Sequence, residues 1–332
     1  MAPTPMGRQL FAYHPRIGYR FIPGLRARIP HEAGGYLVRI NNAGFRSSRD
    51  FVPQKPRGTR RILVFGDSQT AGDGVDNEQR YTDLLEQLLP DCEVYNFGLS
   101  GTGTDQQYLA YQEYAKDMEH DLLILAVLVE NIRRITARYR IYQDEAGQNI
   151  LYAKPYFERS NGALVLKNVP PPPRPVREAE LAAGEKGLVE RGGRLPWLRD
   201  AIRKKGWKDF FQKMTRYQPF PEYERADSPS WLLMRAILKE WIQNHPRPVL
   251  LMPLPFYSYV EETSDASNTQ KRFRELADEL PCFYYDPLDD LKKHPRKTRR
   301  EFRFKHDIHL TPAGHQAVAQ ALAAHLQKIW EK

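Results

Sequence analysis

Cysteine is scarce in this chain of 332 residues, which carries only Cys92 and Cys282. A structural metal site or a redox pair needs several cysteines or histidines at short spacing, and neither cysteine has such neighbours in the sequence. We therefore expect both to be small buried apolar side chains. The sequence predicts neither a metal site nor a bound cofactor.

Long hydrophobic runs are also missing. The longest apolar run covers residues 122–129, far short of the ~20 residues that a membrane-spanning helix needs. The first residues lack the basic-then-apolar pattern of a secretory signal, although a processed precursor would look the same. We expect no membrane span and a cytoplasmic protein.

The charge balance is basic, with a formal net charge of +9 and a hydrophobic content of 41% that suffices for a folded core. The densest basic run covers residues 292–305. Such a run can attract nucleic acid or an anionic substrate, but a solvated loop face is the simpler interpretation. Because no zinc-finger spacing, helix-turn-helix signature or RNA-binding aromatic motif accompanies it, we expect no nucleic-acid partner.

From Arg61 onward, short apolar runs alternate with helical patterns. The candidate strands are residues 62–65, 93–97, 121–127, 248–252 and 282–285. The candidate helices are residues 78–89, 105–116, 231–244, 269–279 and 311–329. This alternation predicts a parallel sheet of five strands with helices on both faces, a three-layer α/β/α sandwich.

Two parts of the chain break this alternation. Residues 1–58 mix Gly, Pro and Arg without helical periodicity, so we expect an extended arm with one or two short strands, one of them at residues 36–40, packed on the core. The α/β domain would then cover residues 59–332 and contain a large insertion at residues 133–230. Because the insertion begins next to Asn131 at the end of the third strand, it is placed to form a lid or a substrate wall.

The insertion carries its own local signals. Turn residues at 144–148 and the dipeptide Asn161-Gly162 predict a small β subdomain with a hairpin. The proline run 169–175 predicts a stiff spacer. Residues 178–216 are charged and predict a helical part, with the aromatic residues Trp197, Trp207, Phe210 and Phe211 as its packing face.

Chemically useful residues follow the first three strands. Ser68 ends a Gly-Asp-Ser turn after the first strand, residues 98–101 follow the second, and Asn131 follows the third. Active groups of a parallel sheet gather beyond the carboxyl ends of its strands. We therefore expect these three segments to meet along one edge, where a serine on a tight turn can act as a nucleophile.

A base and a carboxylate occur near the C-terminus. Thr311 is an N-cap type residue with Pro312 at the first helical position, so Asp307 and His309 fall on the loop just before the last helix. A neutral imidazole there can accept the Ser68 proton, and a carboxylate can hold the required tautomer. His315 lies inside the helix and is expected to be a packing residue.

These segments resemble the sequence blocks of the SGNH, or GDSL, hydrolase superfamily. The Gly66-Asp67-Ser68 turn resembles the first block, Gly101 the glycine of the second, Asn131 the asparagine of the third, and the pair Asp307 and His309 the last block. The resemblance covers residues 61–131 and 247–330. It implies a flavodoxin-like SGNH hydrolase fold.

The resemblance also implies a role for each matched residue. Ser68 would be the nucleophile, His309 the base and Asp307 the carboxylate that orients it. The backbone N–H groups of Ser68 and Gly101 and the amide of Asn131 would form the oxyanion hole. We further expect Asp67, Glu130 and Arg133 as candidate substrate contacts. The alternative for Glu130 is a solvent-exposed residue at the strand end, and for Arg133 a charged residue on the surface of the insertion.

Two blocks depart from the family pattern. The third usually reads Gly-x-Asn-Asp, whereas this chain has Val-Glu-Asn-Ile around Asn131. In the last block the usual spacing is Asp-x-x-His, whereas Asp307 precedes His309 by two and His306 occupies the usual aspartate position. The assignment predicts that His309 lies within hydrogen-bond reach of Ser68, with Asp307 on the far side of the ring.

The expected activity is that of a serine esterase or an O-acyltransferase, depending on whether water or another hydroxyl takes the acyl group. From the resemblance we expect an O-acylated carbohydrate or related metabolite, in the simplest case an acetyl ester. Tyr139, Tyr142, Tyr152 and Tyr156 suit sugar stacking better than acyl-chain burial. The alternatives are an inactive binding or scaffold protein of the same fold, and a lipase or thioesterase for longer acyl chains. The sequence does not indicate an oligomeric state.

Overall fold

The secondary structure comes from a computed structural model that describes residues 5–6, 10–143, 149–182, 184–190 and 217–331. Its strands are β1 (Pro5–Met6), β2 (Phe11–His14), β3 (Gly18–Phe21), β4 (Arg26–Ile29), β5 (Tyr36–Arg39), β6 (Arg60–Phe65), β7 (Cys92–Asn96), β8 (Leu122–Leu128), β9 (Tyr139–Gln143), β10 (Asn149–Ala153), β11 (Tyr156–Ser160), β12 (Ala163–Lys167), β13 (Val189–Glu190), β14 (Val249–Leu254) and β15 (Phe283–Tyr284).

The helices alternate with the later strands. They are α1 (Ser68–Ala71), α2 (Tyr81–Leu88), α3 (Thr104–Tyr114), α4 (Asn131–Arg134), α5 (Pro229–Gln243), α6 (Tyr257–Val260), α7 (Ser267–Asp278), α8 (Leu288–Leu291), α9 (Arg296–Arg299) and α10 (Pro312–Trp330). Short 3₁₀ turns occur at Asn77–Gln79, Glu178–Glu180, Lys186–Leu188 and Pro221–Tyr223. No helix in these described parts has the length and apolar character needed to cross a bilayer.

A five-stranded sheet in the order β15-β14-β8-β6-β7 forms the centre, and every neighbouring pair in it is parallel. Its middle strand β8 is apolar and buried at every position, as expected for a strand covered on both faces. The helices α2 and α10 pack on each other, as do α3 and α5. The predicted three-layer α/β/α sandwich and its five strands are confirmed, with strand ends shifted by one or two residues.

The N-terminal residues form two antiparallel units, β1-β2-β3 and β4-β5. The strand predicted at residues 36–40 is observed as Tyr36–Arg39. Phe45 is fully buried and packs edge-on against Phe97 at 5.0 Å. Arg46 is also buried, and its guanidinium donates to the carbonyls of Gly72 at 2.5 Å and Val75 at 2.7 Å. The N-terminal residues therefore complete the core beside the loop that follows α1.

The insertion contains the hairpin predicted from its turn residues. The strands β11 and β12 pair antiparallel around Asn161 and Gly162, whose φ angles of 50° and 81° are both left-handed, as a two-residue hairpin turn requires. A second small sheet joins β9, β10 and β13.

The helical segment predicted at residues 178–216 takes a different form where it is described. It makes the two 3₁₀ turns at Glu178–Glu180 and Lys186–Leu188, followed by the short strand β13. Gly184 and Gly187 fall within this stretch, and glycine disfavours a continuing α-helix. Residues 191–216, with Trp197, Trp207, Phe210 and Phe211, and the predicted turn at 144–148 lie outside the described residues.

Candidate active site

Ser68 is the first residue of α1, directly after β6. Asp67 caps this helix by accepting a hydrogen bond from the Gln69 N–H at 3.0 Å, and Gly72 ends it in the left-handed conformation. A Cβ at Gly66 would lie 2.0 Å from the Thr70 hydroxyl, so the turn before Ser68 is tight enough to require glycine. The sequence thus places Ser68 on a strand–turn–helix junction.

The three strand-end segments are joined through one buried arginine of α4. Arg134 donates to the Asp67 carboxylate at 2.6 Å and to the Thr102 carbonyl at 3.4 Å. The second segment also touches α1, because a Cβ at Gly98 would lie 2.3 Å from the backbone nitrogen of Ala71. The segments after β6, β7 and β8 therefore meet at one edge of the sheet.

Asp67 is buried within this junction. Burial raises the pKa of its carboxyl, and Arg134 and the Gln69 N–H oppose that rise. Its two oxygens accept from Gln69 N and from Arg134, and none of the residue is exposed. The carboxylate thus holds the turn in this structure, and its contact with a substrate stays a prediction.

Asp307 and His309 form the base side of the site. The Asp307 carboxylate lies 2.6 Å from His309 Nδ1 and also accepts from the His309 backbone N–H at 3.2 Å. A bond from Nδ1–H to the carboxylate leaves the lone pair on Nε2, which is the nitrogen that a general base needs. Of the two candidate partners for His309, Asp307 and not His306 is therefore the bonded one.

The ionisation of this pair follows from its neighbours. Burial lowers the pKa of His309, but the hydrogen bond to Asp307 and the negative charges of Asp73, Asp307 and Asp67 outweigh it, so the net pKa is raised. Burial alone would raise the pKa of Asp307, but its bonds to His309 and His31 hold it well below the usual range of a carboxyl. Asp307 is therefore an anion at neutral pH.

Gln69 connects the serine turn to the histidine loop. Its side-chain amide donates to the Ile308 carbonyl at 3.2 Å and accepts from the Leu310 N–H at 3.2 Å. These are the two residues on either side of His309, so the residue next to Ser68 holds the backbone around the base. Sequence reasoning missed Gln69, and its position directly after the serine was the available signal.

The hydrogen bond expected between Ser68 and His309 is not formed. Across the described residues, neither the Ser68 hydroxyl nor His309 Nε2 has a protein hydrogen-bond partner. Catalytic hydrogen bonds are often long in unliganded enzymes and shorten when substrate binds. Asp307 therefore orients the His309 ring, while no described residue is hydrogen-bonded to Nε2.

The predicted oxyanion donors also lack hydrogen-bond partners among the described residues. Asn131, the first residue of α4, is completely buried, and within the described residues both polar atoms of its amide lack a partner. Nor do the backbone N–H groups of Ser68 and Gly101 donate to another described residue. Buried polar groups are nearly always bonded, so these unpaired donors are available to another acceptor.

Arg140 of β9 lies directly over Gly101. A Cβ at Gly101 would lie 1.5 Å from the Arg140 guanidinium, the end of a flexible side chain that would have to move to admit a larger residue. Gly101 also has a left-handed φ of 75°, which favours glycine. Arg140 donates to the Ser100 carbonyl at 3.1 Å and to the Tyr19 hydroxyl. This contact brings the insertion to the predicted oxyanion hole, and sequence reasoning did not anticipate it.

Glu130 and Arg133, the other predicted substrate contacts, are both paired with protein. Glu130 accepts from Arg134 at 3.3 Å. Arg133 donates to Glu222 at 2.6 Å and to the Pro219 carbonyl at 2.7 Å, and its guanidinium lies over the Phe220 ring. The bonds of Arg133 fix α4 to the segment before α5. Their role in substrate binding stays a prediction.

The remaining C-terminal histidines do not face the serine as bases. His306 is exposed and its backbone N–H donates to Glu32. His315 is fully buried in α10, where its Nδ1 accepts from the Tyr81 N–H at 3.1 Å. Burial lowers the pKa of His315 to about 3. His315 is therefore a neutral packing residue, as predicted from its place in the helix.

Comparisons with known proteins identify the family of this chain. The profile of the GDSL-like Lipase/Acylhydrolase family matches residues 64–317. A search of curated proteins gives no match.

Several solved structures are similar at low identity. The lipase/acylhydrolase from Enterococcus faecalis is 13% identical, with a TM-score of 0.43 over 81% of this chain and 96% of that chain. The psychrotrophic esterase EstA from Pseudoalteromonas sp. is 11% identical, with a TM-score of 0.43 over 82% and 100% of the two chains. The acetyl xylan esterase AlAXEase is 16% identical, with a TM-score of 0.41 over 80% and 99%. Because the family profile spans most of its length, this chain belongs to the GDSL-like lipase/acylhydrolase family and is an SGNH serine hydrolase.

Proposed function

We propose that the protein cleaves an ester through an acyl-enzyme on Ser68 and then passes the acyl group to water or to a hydroxyl of a second substrate. The observation that carries this proposal is the Gln69 bridge, which fixes the serine turn to both residues flanking His309. The Asp307–His309 bond supports it by leaving Nε2 as the proton acceptor.

Each step has a group to perform it. Ser68 Oγ attacks the acyl carbon while its proton moves to His309 Nε2. The negative charge on the carbonyl oxygen is taken by the N–H groups of Ser68 and Gly101 and the Asn131 amide. The bond to the alcohol then breaks, and His309 gives its proton to the leaving oxygen. The second acceptor reverses these transfers, with water giving hydrolysis and a hydroxyl giving transesterification.

We propose a short acyl group on a carbohydrate or related metabolite, in the simplest case an acetyl ester. A cavity of about 30 Å³ lies beside Gln69 and Ile308 and is lined chiefly by apolar side chains, among them Leu128, Leu254 and Phe302. Its small volume supports a short acyl group over a long chain, and its lining reaches the neighbours Gln69 and Ile308 of the candidate catalytic residues without including Ser68 or His309. A lipase or thioesterase would need this cavity to open.

The tyrosines of the insertion give less support for sugar binding than their number suggested. Tyr142 and Tyr152 are buried, and each packs edge-on against the other at 5.4 Å. Tyr139 donates to Glu185, and Tyr156 lies under the Arg138 guanidinium. The carbohydrate part of the proposal therefore rests on the family resemblance.

We also propose that residues 133–230 form a wall of the site and that residues 1–58 act as an arm of a single α/β domain. The contact of Arg140 with Gly101 supports the first statement. The burial of Phe45 and Arg46 supports the second.

Labelling with a fluorophosphonate probe tests the acyl-enzyme. We expect the wild type and the exposed-serine control Ser160→Ala to be labelled and Ser68→Ala to remain unlabelled. Mass spectrometry of the wild type should then place an acyl group on Ser68 during turnover of an acetylated sugar, with faster release of acetate than of long-chain acids.

A catalytically inactive binding protein of the same fold is the second candidate, favoured by the missing Ser68–His309 bond and by the altered block around Asn131. Folded wild-type protein that resists the probe at all concentrations would support this alternative. Faster turnover of long-chain esters would instead favour the lipase or thioesterase.

A further inference from the structure

The turn that joins β4 to β5 lies against the loop that carries Asp307 and His309. His31 Nε2 lies 3.2 Å from Asp307 Oδ2, the oxygen that His309 Nδ1 does not use. The Glu32 carboxylate accepts from the backbone N–H groups of His306 at 2.9 Å and Asp307 at 3.1 Å. One turn of the N-terminal residues thus contacts the carboxylate and its backbone.

The tautomer of His31 follows from the hydrogen bond that its other ring nitrogen, Nδ1, accepts. The Ala33 backbone N–H donates to His31 Nδ1 at 3.4 Å, so Nδ1 is the acceptor and Nε2 carries the hydrogen. The Asp307 carboxylate therefore accepts one imidazole N–H on each oxygen, from His31 on Oδ2 and from His309 on Oδ1. A carboxylate held at both oxygens cannot rotate without breaking a hydrogen bond.

The His31 ring is itself held by aromatic packing. It meets the Phe304 ring edge-on at 4.4 Å and the Tyr36 ring at 5.9 Å, and its side chain is only 11% exposed. Phe304 is tied to the base, because its N–H donates to the His309 carbonyl at 3.1 Å. The donor to Asp307 is therefore fixed relative to the same loop that it orients.

We infer that His31 and Glu32 are positioning residues of the active site, which hold the Asp307 carboxylate and its backbone so that His309 keeps its catalytic tautomer and orientation. This inference rests on the proposed function for its kinetic consequence, but the arrangement can be tested without any ester. It assigns to the N-terminal arm a part in catalysis, in addition to its packing on the core.

The kinetic test compares four variants of the full chain. His31→Ala removes the donor to Asp307 Oδ2, and we expect kcat to fall about 10- to 100-fold with KM unchanged, because a small misplacement of a catalytic group costs rates of this order. His31→Gln keeps an N–H donor of similar reach, so it should recover most of the loss. Glu32→Gln keeps an oxygen acceptor and should lose less than Glu32→Ala.

His14→Ala is the matched control, since His14 is also an arm histidine. Its Nε2 bonds the Tyr114 hydroxyl at 2.9 Å and its Nδ1 accepts from the Ile17 N–H at 3.2 Å, with no contact to Asp307. A loosened arm without a role in positioning would lower kcat equally in His14→Ala and His31→Ala. That outcome, or unchanged kcat in His31→Ala, would overturn the inference.

A second readout is independent of turnover. The imidazole of His309 can be titrated by ¹⁵N NMR, and His309→Gln assigns its signals. We expect the raised pKa of His309 to return toward the ordinary histidine value in His31→Ala and to stay raised in His31→Gln and His14→Ala. An unchanged titration in His31→Ala would overturn the inference even in an active enzyme. Failure of fluorophosphonate labelling would instead count against the proposed function and leave the titration result to decide the positioning role.

Discussion

The two sides of the candidate site differ in how completely their polar groups are hydrogen-bonded. On the base side, both oxygens of Asp307 are engaged by imidazoles and the backbone of its loop is held by Glu32 and Gln69. On the oxyanion side, the amide of Asn131 is buried with both polar atoms unpaired within the described residues. The Asp307 carboxylate and its loop are hydrogen-bonded before a substrate binds, whereas the amide of Asn131 is not.

This difference matches the chemistry each side would perform. A base must have its tautomer and direction set in advance, so its bonds are made in the free protein. An oxyanion hole must keep its donors for an oxygen whose charge appears only during the reaction. An unpaired buried amide costs roughly 1–3 kcal/mol of folding stability, and the unpaired amide of Asn131 would supply such a donor.

The largest expected effect on kcat comes from a substitution on the base side. In Asp307→Asn the amide cannot accept from His309 Nδ1–H in the same way and favours the wrong tautomer. We expect kcat to fall by roughly 10³–10⁴-fold, the order known for such a change in a serine protease triad. The activity that remains should have an acid limb at lower pH, because His309 loses the partner that raises its pKa.

The control for this variant is Asp278→Asn at the exposed end of α7. It removes one negative charge without touching the site and should leave kcat within about twofold, as surface charges are screened. Full activity in Asp307→Asn would show that another group orients His309. The proposed difference between the base side and the oxyanion side would then be wrong.

The sequence was sufficient for the parts of the site that follow from local pattern. Alternating strands and helices predicted the sheet, and the ends of its parallel strands predicted where Ser68 and Asn131 would meet. The N-cap Thr311 placed Asp307 and His309 on a loop, and the structure shows them bonded to each other.

The parts that were missed depend on distant contacts between residues that are unremarkable in their local segments. His31 and Asp307 are 276 positions apart, and nothing in the Gly- and Arg-rich stretch around His31 indicates a partner. Arg140 reaches Gly101 only because β9 returns across the edge of the sheet. Burial of two of the four insertion tyrosines likewise depends on tertiary packing, which alternation of residue types does not reveal.

The oxyanion side is tested by Asn131→Leu, a substitution of similar size. We expect a loss of about 10²–10³-fold in kcat from the missing donor. We also expect a gain of roughly 1–2 kcal/mol in the free energy of unfolding, since the substitution removes the two unpaired amide atoms at this position. Urea unfolding and steady-state kinetics on the same preparation measure the two opposite effects.

Asn41 provides the comparison for that variant. It is buried like Asn131 and its Nδ2 also lacks a partner among the described residues, but its Oδ1 accepts from the backbone N–H groups of Ala43 and Phe45. Asn41→Leu should therefore destabilise the fold by about 1–3 kcal/mol, because two donors lose their acceptor. If Asn131→Leu were destabilising to a similar extent, its amide would be bonded in solution and the contrast between the two sides would fail.

The last effect concerns the histidines that have no carboxylate partner. Burial is the main cause that lowers the pKa of His14 and His245 to about 4 and of His315 to about 3, and it also lowers that of His120. The unfolded chain binds protons on these residues near pH 6.5, whereas the folded chain does not until lower pH. Stability should therefore fall as the pH drops from about 6.5 toward 4, opposite in sign to the contribution of His309, whose raised pKa favours the folded state below its unfolded pKa.

Urea unfolding between pH 7.5 and 4.5 measures this slope, which approaches about 1.4 kcal/mol per pH unit for each histidine that stays neutral in the fold. His315→Asn is the informative variant, because the Asn oxygen can replace Nδ1 as acceptor for the Tyr81 N–H and cannot titrate. His315→Asn should reduce the slope by up to about 1.4 kcal/mol per pH unit. Asp307→Asn should make the slope steeper, because it removes the partner that raises the pKa of His309. Equal slopes in both variants and the wild type would mean that the imidazole with a carboxylate and the imidazole without one titrate alike, and the comparison that organises the site would no longer hold.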